Sequence, residues 1–328
     1  MENNILVVVV TYNGAKWFDR CFGSLYTSDV PVDIFIVDNG STDGTLDLLH
    51  NLQKDGGARF CTGRWAESET RLVKLVESKD NLGFGRANNQ GLRYAATHSY
   101  EYVYLMNEDA WLEEDTLSKL IEASKENVSF GILSPIQMTA DMKRMDPRFH
   151  KKFPYPDLAD KIEAKAENSK LIGEGLFENE SKSVIPVEFV MAAHWLITRQ
   201  CLITVGGFSP AFHHYGEDDN YINRAVYNGF AVGVVLDAKA VHDRENRPET
   251  KAFKMRLKSV AAVVKLSNPN QFLLPRLIWQ PIELILMSIR YRWAQSFKDA
   301  FKLIGDYNRL VKIRRMSKRS GAFLKDFF

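Results

Sequence analysis

Two short acidic clusters hold the side chains best suited to chemistry in this 328-residue chain. The first lies in YVYLMNEDAWL, where an apolar run ends in Asn107, Glu108 and Asp109. Carboxylates at the end of a buried strand can hold a hard divalent cation, Mg2+ or Mn2+, whose other positions take water and substrate phosphates. Without a cation they would repel a diphosphate; with one they join a clamp on a leaving group. The same residues also suit a plain solvated strand end. The second cluster lies in HHYGEDDNYINRAVYNGF, where Glu217, Asp218 and Asp219 open a helical pattern. Acids in a first turn favour the helix dipole. Asp218 is also a candidate general base for an attacking hydroxyl. His242, in AKAVHDREN, comes after an apolar strand and its connection. It is a candidate third ligand on the metal side, or a surface histidine.

Two further segments place polar groups beyond apolar runs. VVVVTYNG ends a first strand at Thr11, Tyr12 and Asn13, and FIVDNGSTDGT ends a second at Asp38. A carboxylate there can accept the imide N–H of a uracil or thymine ring; equally, residues 38–44 can form a turn and helix cap. Gly40 and Thr42 stand where an EF-hand would supply ligands, so a calcium loop is a poor fit. NLGFGRANNQGL holds Asn81, Gly83, Arg86 and Asn89 between a strand and a helix. A helix N-terminus there could face an anion, with Arg86 and Asn89 as candidate contacts to phosphate or ribose. The glycine spacing is neither a dinucleotide fingerprint nor a Walker loop, and close helix–sheet packing explains it as well.

The elements that must position these residues alternate. Strands are expected at Ile5–Val10, Asp33–Val37, Arg71–Val76, Glu101–Met106 and Phe130–Ser134. Helices are expected at Ala15–Leu25, Gly44–Leu52, Phe84–Ala96 and Asp115–Ser124. That order implies an α/β fold with a mostly parallel sheet covered on both faces, and a ligand crevice beyond the strands' carboxyl ends. From Thr139 to Ser183 the pattern fails, as in a long excursion or lid. It returns with a strand at Val184–Val190, helices at Gln200–Val205 and Glu217–Asn228, and a strand at Ala231–Leu236. Cys21, Cys61 and Cys201 are odd in number and widely spaced, which fits a reducing compartment and argues against disulfides or a zinc site. The N-terminal apolar run reads as a core strand, not a signal peptide.

The segments VVVVTYNG, FIVDNGSTDGT, NLGFGRANNQG, YVYLMNEDAWL, VGGFSPAFHHYGEDDNYINRAVYNGF and VHDRE resemble, in order and spacing, the family 2 glycosyltransferases of the GT-A fold. The similarity is greatest to the rhamnosyltransferase-like branch of polysaccharide synthesis. The resemblance implies a Rossmann-like sheet flanked by helices over residues 1–250, with 251–328 as a helical extension. It implies that Thr11, Tyr12, Asn13 and Asp38 bind the nucleoside, and that Asn81, Gly83 and Asn89 line the phosphate and sugar side. The family's Asp-x-Asp motif falls on Asn107, Glu108 and Asp109, which makes Asp109 the main metal ligand, with His242 beside metal or diphosphate. Its Glu-Asp pair falls on Glu217 and Asp218, which makes Asp218 the base of an inverting transfer. The implied donor is deoxythymidine diphosphate rhamnose first and a UDP-sugar next; the implied acceptor is a glycan or a lipid-linked saccharide at the cytoplasmic face. Two departures stand out. VMAAHWLITR has Ala192 where the family has glycine, and Asp219, Asn220 and Tyr221 replace x-Asp-Leu, which leaves Asp219 as a rival to Asp218.

The charge is divided. Residues 251–328 hold 17 Lys/Arg against 4 Asp/Glu, a net of +13, so the preceding part carries −11 of the overall +2. FLLPRLIWQPIELILMSI, at 272–289, is apolar but broken by Arg276, Pro281 and Glu283. It suits helices packed on the body, a homodimer seam, or contact with the inner face of a membrane, rather than a span. No nucleic-acid reader motif accompanies the basic charge. A nucleotidyltransferase would want a Gly-rich, basic loop after the first strand, and VVTYNGAKW has none. A non-catalytic relative that binds through its basic tail would lack a base or metal position, whereas Asp109, Glu217 and Asp218 are all present.

Overall fold

A computed structural model describes residues 4–57, 72–167, 184–244 and 250–324. The chain begins with β1 (Ile5–Thr11) and enters α1 (Phe18–Thr27) through a 3-10 turn at Ala15–Trp17. β2 (Asp33–Asp38), α2 (Thr45–Asp55), β3 (Val73–Glu77), α3 (Phe84–Thr97) and β4 (Tyr102–Asn107) continue the alternation. Then come β5 (Ala110–Leu112), α4 (Thr116–Glu126), β6 (Phe130–Met138), α5 (Pro147–Lys152) and α6 (Pro156–Glu167). β7 (Val184–Pro186), β8 (His194–Thr198), α7 (Arg199–Val205), α8 (Glu217–Tyr227) and β9 (Ala231–His242) complete the sheet. Four helices follow: α9 (Lys251–Ser267), α10 (Leu273–Tyr291), α11 (Ala294–Gly305) and α12 (Tyr307–Met316).

The strand order is β3-β2-β1-β4-β8-β6-β9-β5, with β7 paired to β9. β1, β2, β3, β4, β6 and β9 run one way, and β5, β7 and β8 run against them. The fold is the expected α/β arrangement, mostly parallel, with helices on both faces and a helical C-terminal region. β1 shows why its apolar run is unbroken. Leu6 and Val8 pack with Ala87 and Leu92 of α3 on one face, and Ile5, Val7 and Val9 pack with Phe18 and Phe22 of α1 on the other. A strand buried on both sides needs apolar residues at every position.

Four sequence expectations change. β9 runs to His242, not to Leu236, because the register with β6 shifts between Pro135 and Ile136 and absorbs the polar break at Asp237. The strand expected at Val184–Val190 is only Val184–Pro186. β8 was not foreseen, though its residues are almost wholly buried against β4 and β6. The stretch read as an irregular excursion contains α5 and α6, and Phe149, Phe153, Ala159 and Ile162 enter the core there. Asp146 caps α5 by accepting from the Arg148 and Phe149 N–H groups at 2.9 Å each, and it also pairs with Arg244 at 2.9 Å. The rest of that excursion (168–183), Cys61, Arg71 and Glu245 lie outside the described residues; Cys21 and Cys201 are buried free thiols.

The C-terminal helices have a small core of their own, which includes Ala262, Leu266, Leu284, Ala300 and Leu303. They are pinned to α8 by polar contacts. The Asn220 amide donates to Ser267 Oγ at 3.0 Å, and the Asn268 amide to Asn223 Oδ1 at 2.9 Å. The Arg314 guanidinium donates to the Leu266 carbonyl at 2.9 Å and also reaches the carbonyls of Asn268 and Gln271. The chain then returns to the body, where Gly207 N–H donates to the Ala322 carbonyl at 2.8 Å. No helix among the described residues is long and apolar enough to cross a membrane.

Candidate active site

Parallel pairing brings three strand ends to one edge of the sheet. Thr11 is in register with Asp38, and Val10 with Asn107. Thr11 Oγ1 donates to Asp38 Oδ1 at 3.0 Å, and both side chains are buried. Asp38 also accepts from the N–H groups of Gly40 (3.1 Å) and Ser41 (2.9 Å) and from the Ser41 hydroxyl (2.5 Å). A carboxylate offers about four lone-pair sites, and four donors fill them. Asp38 therefore shapes the turn, and a base N–H would have to displace one of these partners. Asn13, at φ 58°, completes the lacing: its N–H donates to Ser41 Oγ at 2.9 Å and its Oδ1 accepts from the Thr42 N–H at 2.7 Å. Tyr12 is 48% exposed beside this turn.

The turn after β4 folds back in two directions. Glu108 Oε2 accepts the Tyr12 N–H at 2.7 Å. Burial pushes the Glu108 carboxyl up to about 8; the Tyr12 N–H opposes this, while Asp109, Asp43 and Asp38 add to it. Asp43 goes the other way. Its burial is outweighed by hydrogen bonds from Thr45 and Ala15, which hold it below the ordinary range. β5 pairs with the end of β9, with Ala110 opposite His242. This sets Asp109 Oδ1 3.5 Å from His242 Nε2, and the Asn107 side-chain nitrogen is also 3.5 Å from Nε2. His242 is buried and its Nδ1 has no partner. Among the described residues no group of three His, Cys, Asp or Glu could hold a metal unaided. A carboxylate 3.5 Å from the buried His242 Nε2 still fits Mg2+ or Mn2+ when substrate phosphate and water supply the remaining oxygens.

Ala192, which stands where the family has glycine, and the nearby His194 are both buried. His194 Nδ1 lies 2.8 Å from the Tyr104 hydroxyl and Nε2 lies 2.8 Å from the Val241 carbonyl. Burial lowers its pKa to about 3. It is a neutral pin between β4 and β9, set one residue from His242.

The second acidic cluster meets the glycine-rich segment. Asn81 Oδ1 accepts the Gly83 N–H at 2.9 Å, and Gly83 has φ +78°. A Cβ there would fall 2.2 Å from the His213 carbonyl, so only glycine lets the 213–216 loop approach. A Cβ on Gly85 would lie 3.7 Å from the Glu217 Cβ, which places the start of α8 against the start of α3. Arg86 is exposed on the first turn of α3. Asn89 departs from its expected role as a donor contact. Its amide donates to the Phe208 carbonyl at 3.0 Å and accepts the Phe208 N–H at 2.6 Å, so both ends of a buried side chain are spent on the 206–208 loop.

At the head of α8 three carboxylates share one turn. Burial raises Asp218, and the neighbouring Asp219 and Glu217 raise it further; the Asp219 N–H donates to it at 2.9 Å. Burial raises Glu217 too, and its Oε2 has no partner. Asp219 is raised by burial but opposed by Lys152, whereas the charged neighbours acting on Asp218, Asp219 and Glu217, both raise it. Gly216, at φ +85°, faces Val260 and Val264 of α9 at 2.6 and 2.9 Å from a would-be Cβ. The C-terminal region thus closes directly on the acidic turn.

Arg224, not singled out from the sequence, is fully buried behind this turn. Its guanidinium donates to Asn220 Oδ1 at 3.2 Å, to the Val205 carbonyl at 2.9 Å and to the Gly207 carbonyl. Burial lowers its pKa to about 10, which keeps it charged at neutral pH. The signal was an arginine among Tyr221, Ile222 and Ala225, on the apolar face of the helix.

A mostly parallel sheet with polar strand ends at one edge, and an acidic helix head against the glycine-rich segment, matches the GT-A architecture. Residues 6–169 match the Glycosyl transferase family 2 model, and the chain belongs to that family. It is 23% identical over 258 residues to N-acetylglucosaminyl-diphospho-decaprenol L-rhamnosyltransferase of Mycobacterium tuberculosis, covering 74% of this chain and 77% of that one. It is 24% identical over 131 residues to poly-beta-1,6-N-acetyl-D-glucosamine synthase of Staphylococcus epidermidis, covering 40% of this chain and only 27% of that protein's length. Among solved structures it resembles S. aureus TarS 1-349 in complex with UDP (TM-score 0.53, 16% identity, 96% of this chain and 90% of that one). It also resembles the mannosyltransferase PcManGT of Pyrobaculum calidifontis in complex with GDP-Man and Mn2+ (TM-score 0.52, 18% identity, 99% and 89%). At such identities these two likenesses establish the fold.

Proposed function

We propose that the chain is an inverting transferase that moves a sugar from a nucleoside diphosphate to a hydroxyl of a glycan or lipid-linked acceptor in bacterial surface polysaccharide synthesis. The observation that carries this is the acidic head of α8. Asp218 is raised by burial and by two acidic neighbours, and it stands where α8 meets α3 beyond the sheet. A base whose pKa is lifted toward neutrality removes a hydroxyl proton more effectively than an ordinary carboxylate. Asp218 takes the acceptor proton, the acceptor oxygen bonds to the anomeric carbon, and the bond from that carbon to the diphosphate breaks with its electron pair on the diphosphate. One displacement inverts the centre, with no covalent enzyme intermediate. Asp109 and His242 would hold Mg2+ or Mn2+, which supplies positive charge to the departing diphosphate. Thr11, Tyr12, Asn13 and the Asp38 turn form the nucleoside side.

Deoxythymidine diphosphate rhamnose is the first donor on this reading. The relative that the chain matches over most of both lengths is named as a rhamnosyltransferase acting on a diphospho-decaprenol compound. A UDP-sugar is the second candidate. The test is nucleoside diphosphate release across a panel of sugar nucleotides, with and without Mg2+ or Mn2+, beside Asp218→Asn. Metal-stimulated release from one donor, lost in the variant, is expected. Release that persists in Asp218→Asn would remove Asp218 as the base. Absence of both release and a donor-induced thermal shift with every nucleotide tested would remove the transferase reading of this site.

A further inference from the structure

We propose that the outward face of α10 and α11 seats on the surface of an anionic lipid bilayer. α10 turns Gln280, Pro281 and Leu284 into the C-terminal bundle. The opposite face carries Leu274, Ile278, Trp279, Ile282, Leu286 and Ile289, all between 39% and 74% exposed. With 3.6 residues per turn these six share one continuous arc, and no charged residue of α10 falls within it. A helix that meets only water puts its charges there. α11 packs beside α10 and adds exposed Phe297, Phe301 and Ile304, with the two phenyl rings 5.0 Å apart. A contiguous apolar patch of this kind marks an interaction surface.

The charges around the patch choose the occupant. The acids of these two helices are turned inward onto α9: Glu283 pairs with Lys265 at 3.0 Å, and Asp299 accepts the Ser259 hydroxyl at 2.6 Å. Cations are left at the border. Lys298 and Lys302 are exposed and have no acidic partner among the described residues, and Arg290 and Arg292 are exposed at the turn between the helices. A second copy docking by a two-fold axis would set this face against itself and crowd those cations together. Anionic headgroups neutralise them while the apolar arc enters the acyl boundary. Trp279, apolar with one polar N–H, suits the headgroup level. Seating on the surface also agrees with the absence of a helix able to span, among the described residues. This inference stands independently of the donor and acceptor.

The test is co-sedimentation of the full chain with phosphatidylcholine vesicles, with and without phosphatidylglycerol, at low and high salt, beside light scattering of the chain alone. Binding to the anionic vesicles is expected. Ile278→Gln/Leu286→Gln should lower the partition about 30-fold or more, since two large aliphatic groups no longer leave water. Lys298→Gln/Lys302→Gln should lower it about fivefold per lysine at low salt and much less at high salt. All four positions are exposed, and circular dichroism with a thermal melt verifies that each variant is folded. No binding to anionic vesicles overturns the proposal, as does binding that neither variant weakens. Self-association abolished by Ile278→Gln/Leu286→Gln, without vesicle binding, would overturn it and make a second copy the occupant.

Discussion

Asn89 offers a direct contest between sequence pattern and geometry, and Asn89→Ala decides it. The pattern places Asn89 on the donor's phosphate or ribose; the structure spends both ends of its amide on the Phe208 backbone, at 2.6 and 3.0 Å. Truncation leaves the Phe208 N–H and carbonyl unpaired at a site where Asn89 is 8% exposed. An unsatisfied buried polar group costs about 1–3 kcal/mol, and part of this is recovered if water enters the vacated volume. A net loss of about 2–4 kcal/mol follows, equivalent to a fall in Tm of roughly 3–6 °C for a chain of this size. The 206–208 loop also receives the Arg224 guanidinium and the returning Ala322 carbonyl, so its loosening should lower kcat through α8. Donor KM should stay within about threefold, because no donor contact is removed. The assay is a thermal melt beside steady-state kinetics at saturating acceptor. An unchanged Tm with donor KM raised tenfold would refute the geometric reading and return Asn89 to the donor site.

Asp218→Asn is expected to lower transfer by about 100-fold or more while donor-induced thermal stabilisation persists, since it removes the base and not the nucleotide contacts. The base works only when ionised, so wild-type kcat should rise with pH through the raised Asp218 pKa, with its half-point above the usual carboxylate range near about 4; a profile already flat from pH 5 upward would refute the assignment. Gly83→Ala puts a Cβ 2.2 Å from the His213 backbone carbonyl in a left-handed conformation, and a loss of about 3 kcal/mol or more with collapse of activity is expected in a denaturant titration. His242→Ala removes the imidazole beside Asp109 and should weaken Mn2+ affinity, measured calorimetrically with nucleoside diphosphate present, by about tenfold or more; unchanged affinity would remove His242 from the cation site.

The parallel half of the fold was legible because its strands are buried on both faces and therefore uniformly apolar, as in ILVVVVT and YVYLMN. The second half was less so. β8 opens with His194, a residue that reads as polar until the Tyr104 hydroxyl and the Val241 carbonyl satisfy both ring nitrogens. β9 contains Asp237 and Lys239, and only the register shift against β6 shows that the strand continues past them. Among the site residues, strand ends and helix heads could be read directly from apolar runs that stop. Residues whose partners lie far along the chain could not. Asn89 and Phe208 are 119 positions apart, and no local pattern distinguishes an amide held by a distant backbone from one left open to a ligand. Arg224 was hidden for the same reason: its carbonyl partners, at the end of α7 and in the loop after it, lie 19 and 17 residues upstream.

The carboxylates that opened the question are costly in the chain by itself, and that cost is informative. Burial raises Glu108 to about 8, and it raises Glu217, Asp218 and Asp219 as well. Each group whose folded pKa exceeds its unfolded value favours folding below the unfolded pKa and loses that contribution as pH climbs through the folded one. For Glu108 the window runs from about 4.5 to about 8. A fold selected only for stability would replace such groups with amides or apolar residues. Their placement at the polar strand ends and at the head of α8 is the pattern expected when charge serves a ligand. The two acidic groups differ in what relieves them. Asp109 has the His242 Nε2 at 3.5 Å, a pair that a divalent cation would share on the proposed reading. Asp218 has only more acid beside it and an N–H from Asp219, and a carboxylate in that setting is relieved by taking up a proton.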